Sequence, residues 1–210
     1  MFFLTDKIEF PPVGIASPEG IVAVGGDLSV ERLLLAYRSG IFPWFENDSL
    51  PLWWSPDPRM VLFPHKLKVS KSMEQVLKGN FFTITFNQAF ERVIANCSNI
   101  KREGQTGTWI TEEMIKAYIK LNQEGYAKSV EVWHREELVG GLYGIDLGHV
   151  FCGESMFSKV SNASKAGFIT WVRYLQQKNY KLIDCQVYTP HLESLGAELM
   201  PRKQFLAYLQ

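Results

Sequence analysis

Phe151-Cys-Gly-Glu-Ser-Met-Phe-Ser158 and, further on, Ile183-Asp-Cys-Gln186 each set acid or amide groups into an apolar run. The first closes a series of three such runs, Ser129–His134, Leu138–Ile145 and Val150–Phe157, parted by turns at Arg135-Glu-Glu and Leu147-Gly-His149. Short apolar runs bounded by turn residues read as an antiparallel meander. A long helical stretch opens at Ser161 or Asn162 and runs to about Lys178, and Tyr180–Val187 reads as the next strand. Within it Asp184 and Gln186 stand two residues apart. Residues i and i+2 of a strand share a face, so a carboxylate and a carboxamide point the same way out of a core segment. Buried polar groups are costly unless satisfied. The pair is therefore either matched structurally or waiting for a ligand.

Working outward, Met60–Phe63 and Phe82–Phe86 read as strands, with a short helix over Ser70–Lys78 between them. Asn87 is placed to cap a helix running to about Cys97. Thr111 is placed to cap another, with two glutamates in its first turn, Met114, Tyr118 and Leu121 on one side, and Gly125 beyond its end. Pro190–Leu195 and Pro201–Leu209 read as short closing helices. The first sixty residues differ. They hold seven prolines and many aromatics, as in Ile41-Phe-Pro-Trp44 and Trp53-Trp-Ser-Pro-Asp-Pro-Arg59. Proline fixes φ and removes a donor, which predicts mostly ordered loop. One helix interrupts it, capped by Asp27 or Ser29, apolar along Leu33, Leu34 and Tyr37, and stopped at Gly40. The expectation is an α+β chain: a small Pro- and aromatic-rich N-terminal unit over residues 1–62, and a larger unit over 63–210. The order strand, strand, strand, helix, strand, helix in the latter resembles the acyltransferase fold of the N-acetyltransferases. Fold likeness alone assigns no reaction.

The 210 residues are 46% hydrophobic, enough for one substantial core or a main unit with a small one. Lysine plus arginine equals aspartate plus glutamate at 22 each, which argues against a coat for long nucleic acids. No run approaches the roughly 18–20 apolar residues of a membrane span. The first residues lack the basic and apolar regions of a secretory signal. Cys97, Cys152 and Cys185 are odd in number and irregularly spaced, so a reduced, cytoplasmic protein is expected.

Five features bear on chemistry. Phe168, Trp171 and Leu175 fall at i, i+3 and i+7 on one helical face, above strands carrying Leu142 and Met156. Core packing explains such a stripe, but Glu154 beside it suits an amino acid, with its side chain inside and its ammonium on the acid. Trp44, Trp53, Trp54 and Trp109 sit in Pro- or Gly-rich contexts, where they are either loop anchors or platforms for bases. Lys66, Lys68, Lys71 and Lys78 face one acid, Glu74, in a local basic run that is a solvated face or a phosphate contact. His149, Cys152, Cys185 and His191 make no metal-ligand spacing. The junction Phe157–Lys165 contains no glycine, so it cannot cradle a pyrophosphate in the manner of coenzyme A-dependent acyltransferases.

Gly40-Ile-Phe-Pro-Trp44, Trp53–Arg59, Gly107-Thr-Trp-Ile-Thr111, Phe151–Ser158, Ile183–Gln186 and Ser194-Leu-Gly-Ala197 resemble, in order, the motifs of the bacterial leucyl/phenylalanyl-tRNA–protein transferases. That resemblance implies a small N-terminal domain, an acetyltransferase-like C-terminal domain and a cytoplasmic, monomeric enzyme needing no metal, coenzyme A or ATP. It implies transfer of Leu or Phe, and less well Met, from Leu-tRNA or Phe-tRNA to proteins beginning with Arg or Lys, which makes an N-degron. By it, Trp44 and Trp109 hold the 3′-terminal adenosine. Leu142, Met156, Phe168, Trp171, Leu175 and Ile183 form the aminoacyl pocket, and Glu154 lies near the aminoacyl amine. Asp184 and Gln186 form the catalytic pair. Where the family often carries an arginine-rich cluster, this chain has Lys71 and Lys78 with Glu74 and Gln75 between, and Lys66 and Lys68 nearby. The rivals are an acyl-CoA N-acyltransferase of the same fold and a non-catalytic binder of tRNA 3′ ends.

Overall fold

The computed structural model describes residues 2–46, 49–100 and 110–210. Two sheets carry the chain. The smaller has strands β1 (Phe2–Leu4), β2 (Ile21–Gly25), β3 (Phe42–Pro43) and β4 (Leu52–Trp54) in the order β1-β2-β4-β3. Helix α1 (Val30–Arg38) lies between β2 and β3 in sequence. The larger sheet has strands β5 (Arg59–Leu62), β6 (Thr83–Phe86), β7 (Ala127–His134), β8 (Glu137–Asp146), β9 (Val150–Ser158), β10 (Leu182–Gln186) and β11 (Glu198–Met200), ordered β11-β5-β10-β9-β8-β7-β6. Helices α2 (Lys71–Lys78), α3 (Phe90–Ser98), α4 (Glu112–Gln123), α5 (Ala163–Gln177), α6 (Pro190–Ser194) and α7 (Arg202–Ala207) complete it.

The mixed α+β fold and the meander β7-β8-β9 are as the sequence indicates. Helix α5 crosses over from β9 to β10, which pairs parallel with β9, the acetyltransferase-like arrangement. Helix α5 lies close on the meander because glycines let it approach. A Cβ on Gly140 would come 2.7 Å from that of Ala163, and one on Gly167 would meet Val132 at 2.7 Å.

Several expectations change. The N-terminal segment is largely irregular chain, as its prolines predict, but it also holds a four-stranded sheet that was not expected. Its strands run two to five residues, too short for alternation to show, and one contains Pro43. Of the two candidate caps, Ser29 accepts from the Arg32 amide, while Asp27 pairs with the Arg32 side chain. The junction expected after residue 62 meets β5, which is hydrogen-bonded between β10 and β11 in the larger sheet. Its pairing, not composition, places residues 59–62 there. Strand β11 was not foreseen: at three residues it gives no period. Asn87 does not cap α3. It takes a left-handed φ of 55° at the end of β6, and its side chain accepts from Asn122 at 2.6 Å. The buried Glu131 carboxylate serves the helix start instead, accepting from the amides of Gln88 and Ala89. At α5, Asn162 stands at the N-cap with φ 69° and no capping side-chain bond. Ser158 supplies the acceptor for the Ser164 amide.

Candidate active site

Strands β9 and β10 pair only from Leu182 opposite Val150 to Asp184 opposite Cys152. Beyond that, β9 continues to Ser158 without β10 beside it, and a cavity of about 480 Å³ opens at the parting. Each strand is bulged there. In β9, Tyr143 pairs with Ser155 and Gly144 with Gly153, leaving Glu154 as the extra residue. In β10, Asp184 pairs with Val61 and Gln186 with Met60, leaving Cys185 extra. Bulges re-aim side chains. These two bring Glu154 and Gln186 together, with Gln186 at a left-handed φ of 63°. Plain alternation therefore does not describe Gln186.

The Gln186 carboxamide donates to Glu154 Oε1 at 2.6 Å. The Tyr118 hydroxyl donates to Oε2 at 3.0 Å, and Tyr118 is hydrogen-bonded in turn to Tyr37. Helix α4 supplies Tyr118 and α1 supplies Tyr37. Burial pushes the Glu154 carboxyl up to about 8, and the Asp184 charge adds to this; the two phenols and Gln186 act in the opposite direction. Burial, reinforced by Glu154, also holds both phenols well above their usual range, so they remain neutral donors.

Asp184 is 1% exposed and fully engaged. Arg59 Nε donates to Oδ1 at 2.8 Å and Nη2 to Oδ2 at 2.7 Å. The Gln186 backbone amide donates to Oδ1 at 2.9 Å. The Arg59 guanidinium lies between the rings of Phe42 and Phe205, 4.7 and 4.8 Å from their centroids. The two residues that the resemblance pairs do not meet side chain to side chain. The contact instead runs through the Gln186 backbone, and the side chain goes to Glu154.

Leu142, Met156, Phe168 and Ile183 line the cavity. Trp171 and Leu175 do not. Seven residues of helix advance about 10 Å, and the cavity meets only the first position of that stripe. Trp171 packs edge-on against Phe86 and Phe151 and stacks on Tyr174, facing a separate hollow. Leu175 is core. Trp44 stands at the cavity wall, 37% exposed, its ring 5.5 Å from that of Trp54. Trp109 lies outside the described residues. Lys66 is paired with Glu198 of β11 at 2.8 Å, a partner hidden with that strand. Lys68, Lys71 and Lys78 are exposed and make no ion pair among the described residues. Glu74 is taken by Arg173.

Arg59, Tyr37, Tyr118 and His191 were not singled out as site residues. Arg59 was legible as a charge opening an apolar strand. The tyrosines read as ordinary members of apolar helix faces. His191 lines the cavity after β10, and burial, helped by Lys165, lowers its pKa and keeps the ring neutral.

The site is an apolar chamber closed at one wall by an acid and an amide. Comparison with known proteins supplies the class. The description "Leucyl/phenylalanyl-tRNA protein transferase" matches residues 61–210, and that family's N-terminal domain matches residues 26–57. A leucyl/phenylalanyl-tRNA–protein transferase of Flavobacterium johnsoniae is 60% identical over all of this chain and 99% of its own length. Those of Flavobacterium psychrophilum and Christiangramia forsetii are 56% and 58% identical, with both chains covered completely. The chain belongs to the leucyl/phenylalanyl-tRNA–protein transferase family, an enzyme family with an aminoacyl-tRNA donor and a protein acceptor. Among the described residues, no helix is long and apolar enough to cross a membrane.

Proposed function

We propose that the chamber between β9 and β10 receives the Leu or Phe side chain of aminoacyl-tRNA, and Met less well, for transfer to a protein beginning with Arg or Lys. The observation that carries this is a 480 Å³ apolar cavity whose polar wall is the Glu154–Gln186 pair. Leu142, Met156, Phe168 and Ile183 give a chamber for a hydrocarbon or phenyl group. Trp44 offers a face to the 3′-terminal adenosine, with Trp109 as the second platform that the family resemblance implies. The exposed Lys68, Lys71 and Lys78 are left for phosphates. The reaction takes place in the cytoplasm, with the chain as a monomer, and its product is an N-degron.

The chemistry asked of the protein is modest. The ester is already activated, so the enzyme has to position it, present a neutral amine and stabilise an oxyanion. The acceptor α-ammonium ordinarily loses its proton near 7.7–8.0. Glu154, at about 8, is matched to it, so a proton can pass between them with little change in free energy. The amine then attacks the ester carbonyl, the bond to the ribose oxygen breaks, and that oxygen leaves with a proton. Asp184 has both oxygens committed and is a positioning group in this scheme. A cationic acceptor side chain is drawn by Glu154, whose ionisation it favours.

Mixing the protein with labelled Phe-tRNA and an Arg-initiated peptide should give peptide-linked label. Absence of label from the wild type would overturn the reading. Replacing the N-terminal Arg by citrulline should lower kcat/KM at least about tenfold. Equal use of the two peptides would remove charge from acceptor recognition.

A further inference from the structure

We infer that Arg59 is a positioning residue for the transfer, acting through Asp184 to hold Gln186 in the conformation that meets Glu154. This rests on the reading of that site given above. Arg59 opens β5, next to β10 in the sheet. Its two bonds to Asp184 use the fixed fork of a guanidinium, which matches a carboxylate in one plane. Asp184 also accepts from the backbone amide of Gln186. That amide belongs to a residue at φ 63°, just past the bulge. A left-handed backbone is unfavourable for a residue with a side chain and persists where its surroundings fix it. The chain of contacts therefore runs from Arg59 to Asp184, from Asp184 to the Gln186 backbone, and from the Gln186 carboxamide to Glu154.

Stability alone is a poor reason for this arrangement. Both partners are 1% exposed, and replacing a buried ion pair by apolar groups is often neutral or stabilising. Arg59 also keeps Nη1 buried with no hydrogen-bond partner among the described residues, a cost that a structural filler would not carry. The guanidinium is fixed from outside the sheet too. Phe42 comes from the small sheet and Phe205 from α7, so the fork cannot rotate away from Asp184 without breaking both stacks. The pair leaves both Asp184 oxygens engaged, and the mobile proton is assigned to Glu154.

The test compares Arg59→Lys, Asp184→Asn and the double variant Arg59→Met/Asp184→Asn, with rates expressed per folded molecule after thermal melts. Lysine keeps the charge but not the fork. Arg59→Lys should lower kcat at least about tenfold and leave KM for Phe-tRNA within about threefold. Because Arg59 acts through Asp184, the double variant should lose no more than about threefold beyond Asp184→Asn alone. Wild-type kcat in Arg59→Lys, a loss confined to KM, or a double variant more than about threefold below Asp184→Asn would each overturn the inference. If the double variant does not fold, the kcat and KM of Arg59→Lys decide alone. Gln186→Ala, run in parallel, separates the two levels. Wild-type transfer by Gln186→Ala sinks the site itself, whereas an inactive Gln186→Ala beside a fully active Arg59→Lys sinks only the role of Arg59.

Discussion

Glu154 is an acid held away from the water that would ordinarily stabilise its charge, and its protonation should be measurable. The folded protein keeps the proton up to about 8, whereas the ordinary value is 4.5. Between those values the folded state binds a proton that the unfolded chain has shed, so rising pH favours unfolding across that window and has no further effect above it. Glu154→Gln lacks this term. Its melting temperature should therefore gain on the wild type as pH goes from about 5 to about 9, and a difference that stays flat would show Glu154 ionised throughout. Trp44 makes a separate claim. Stacking on a base is worth about 1–3 kcal/mol, so Trp44→Ala should raise KM for aminoacyl-tRNA roughly 5- to 150-fold, and unchanged KM would remove the platform. The acid and the amide could be found in the sequence because each interrupts an apolar run. Arg59, Tyr37 and Tyr118 could not be assigned, since their partners lie 125, 81 and 36 residues away. No local pattern records such distances.

At the scale of elements, the meander, α4 and α5 were legible because each is long enough to show its period. The strands of the small sheet and β11 were not, because they are held by neighbours rather than by pattern. The start of α3 shows the same limit. Asn87 has the right chemistry for a cap, yet Glu131, from a strand far along the chain, takes the Gln88 and Ala89 amides and the hydroxyls of Thr85 and Ser129. Hydrogen bonds to a charged group contribute about 1.5–3 kcal/mol each, less when the freed hydroxyls find other partners, so Glu131→Ala should cost about 2–4 kcal/mol in urea unfolding. Transfer per folded molecule should stay at the wild-type level, because Glu131 lies away from the cavity. A drop in kcat at full folding would tie the α3 start to the reaction.

For the molecule as a whole, equal numbers of acidic and basic residues, with Lys68, Lys71 and Lys78 the lysines of the basic run that make no ion pair among the described residues, lead us to expect that few phosphates are neutralised. Affinity for tRNA should fall with salt at a log–log slope of about −2 to −3. A slope as steep as about −6 would reveal a phosphate surface elsewhere. The family was legible in six motifs, but how they meet was not: β5 is flanked on both edges by strands from the far end of the chain. That pairing has a consequence for synthesis. A ribosome makes residues 59–62 early, and they must wait for residues 182–186 and 198–200 before either edge is filled. The small sheet and its Trp44 face can form long before the Arg59–Asp184 bridge, since chains fold from the N-terminus as they emerge. The bridge, and with it the hold on the Gln186 backbone, thus forms only after residues 182–186 have left the ribosome.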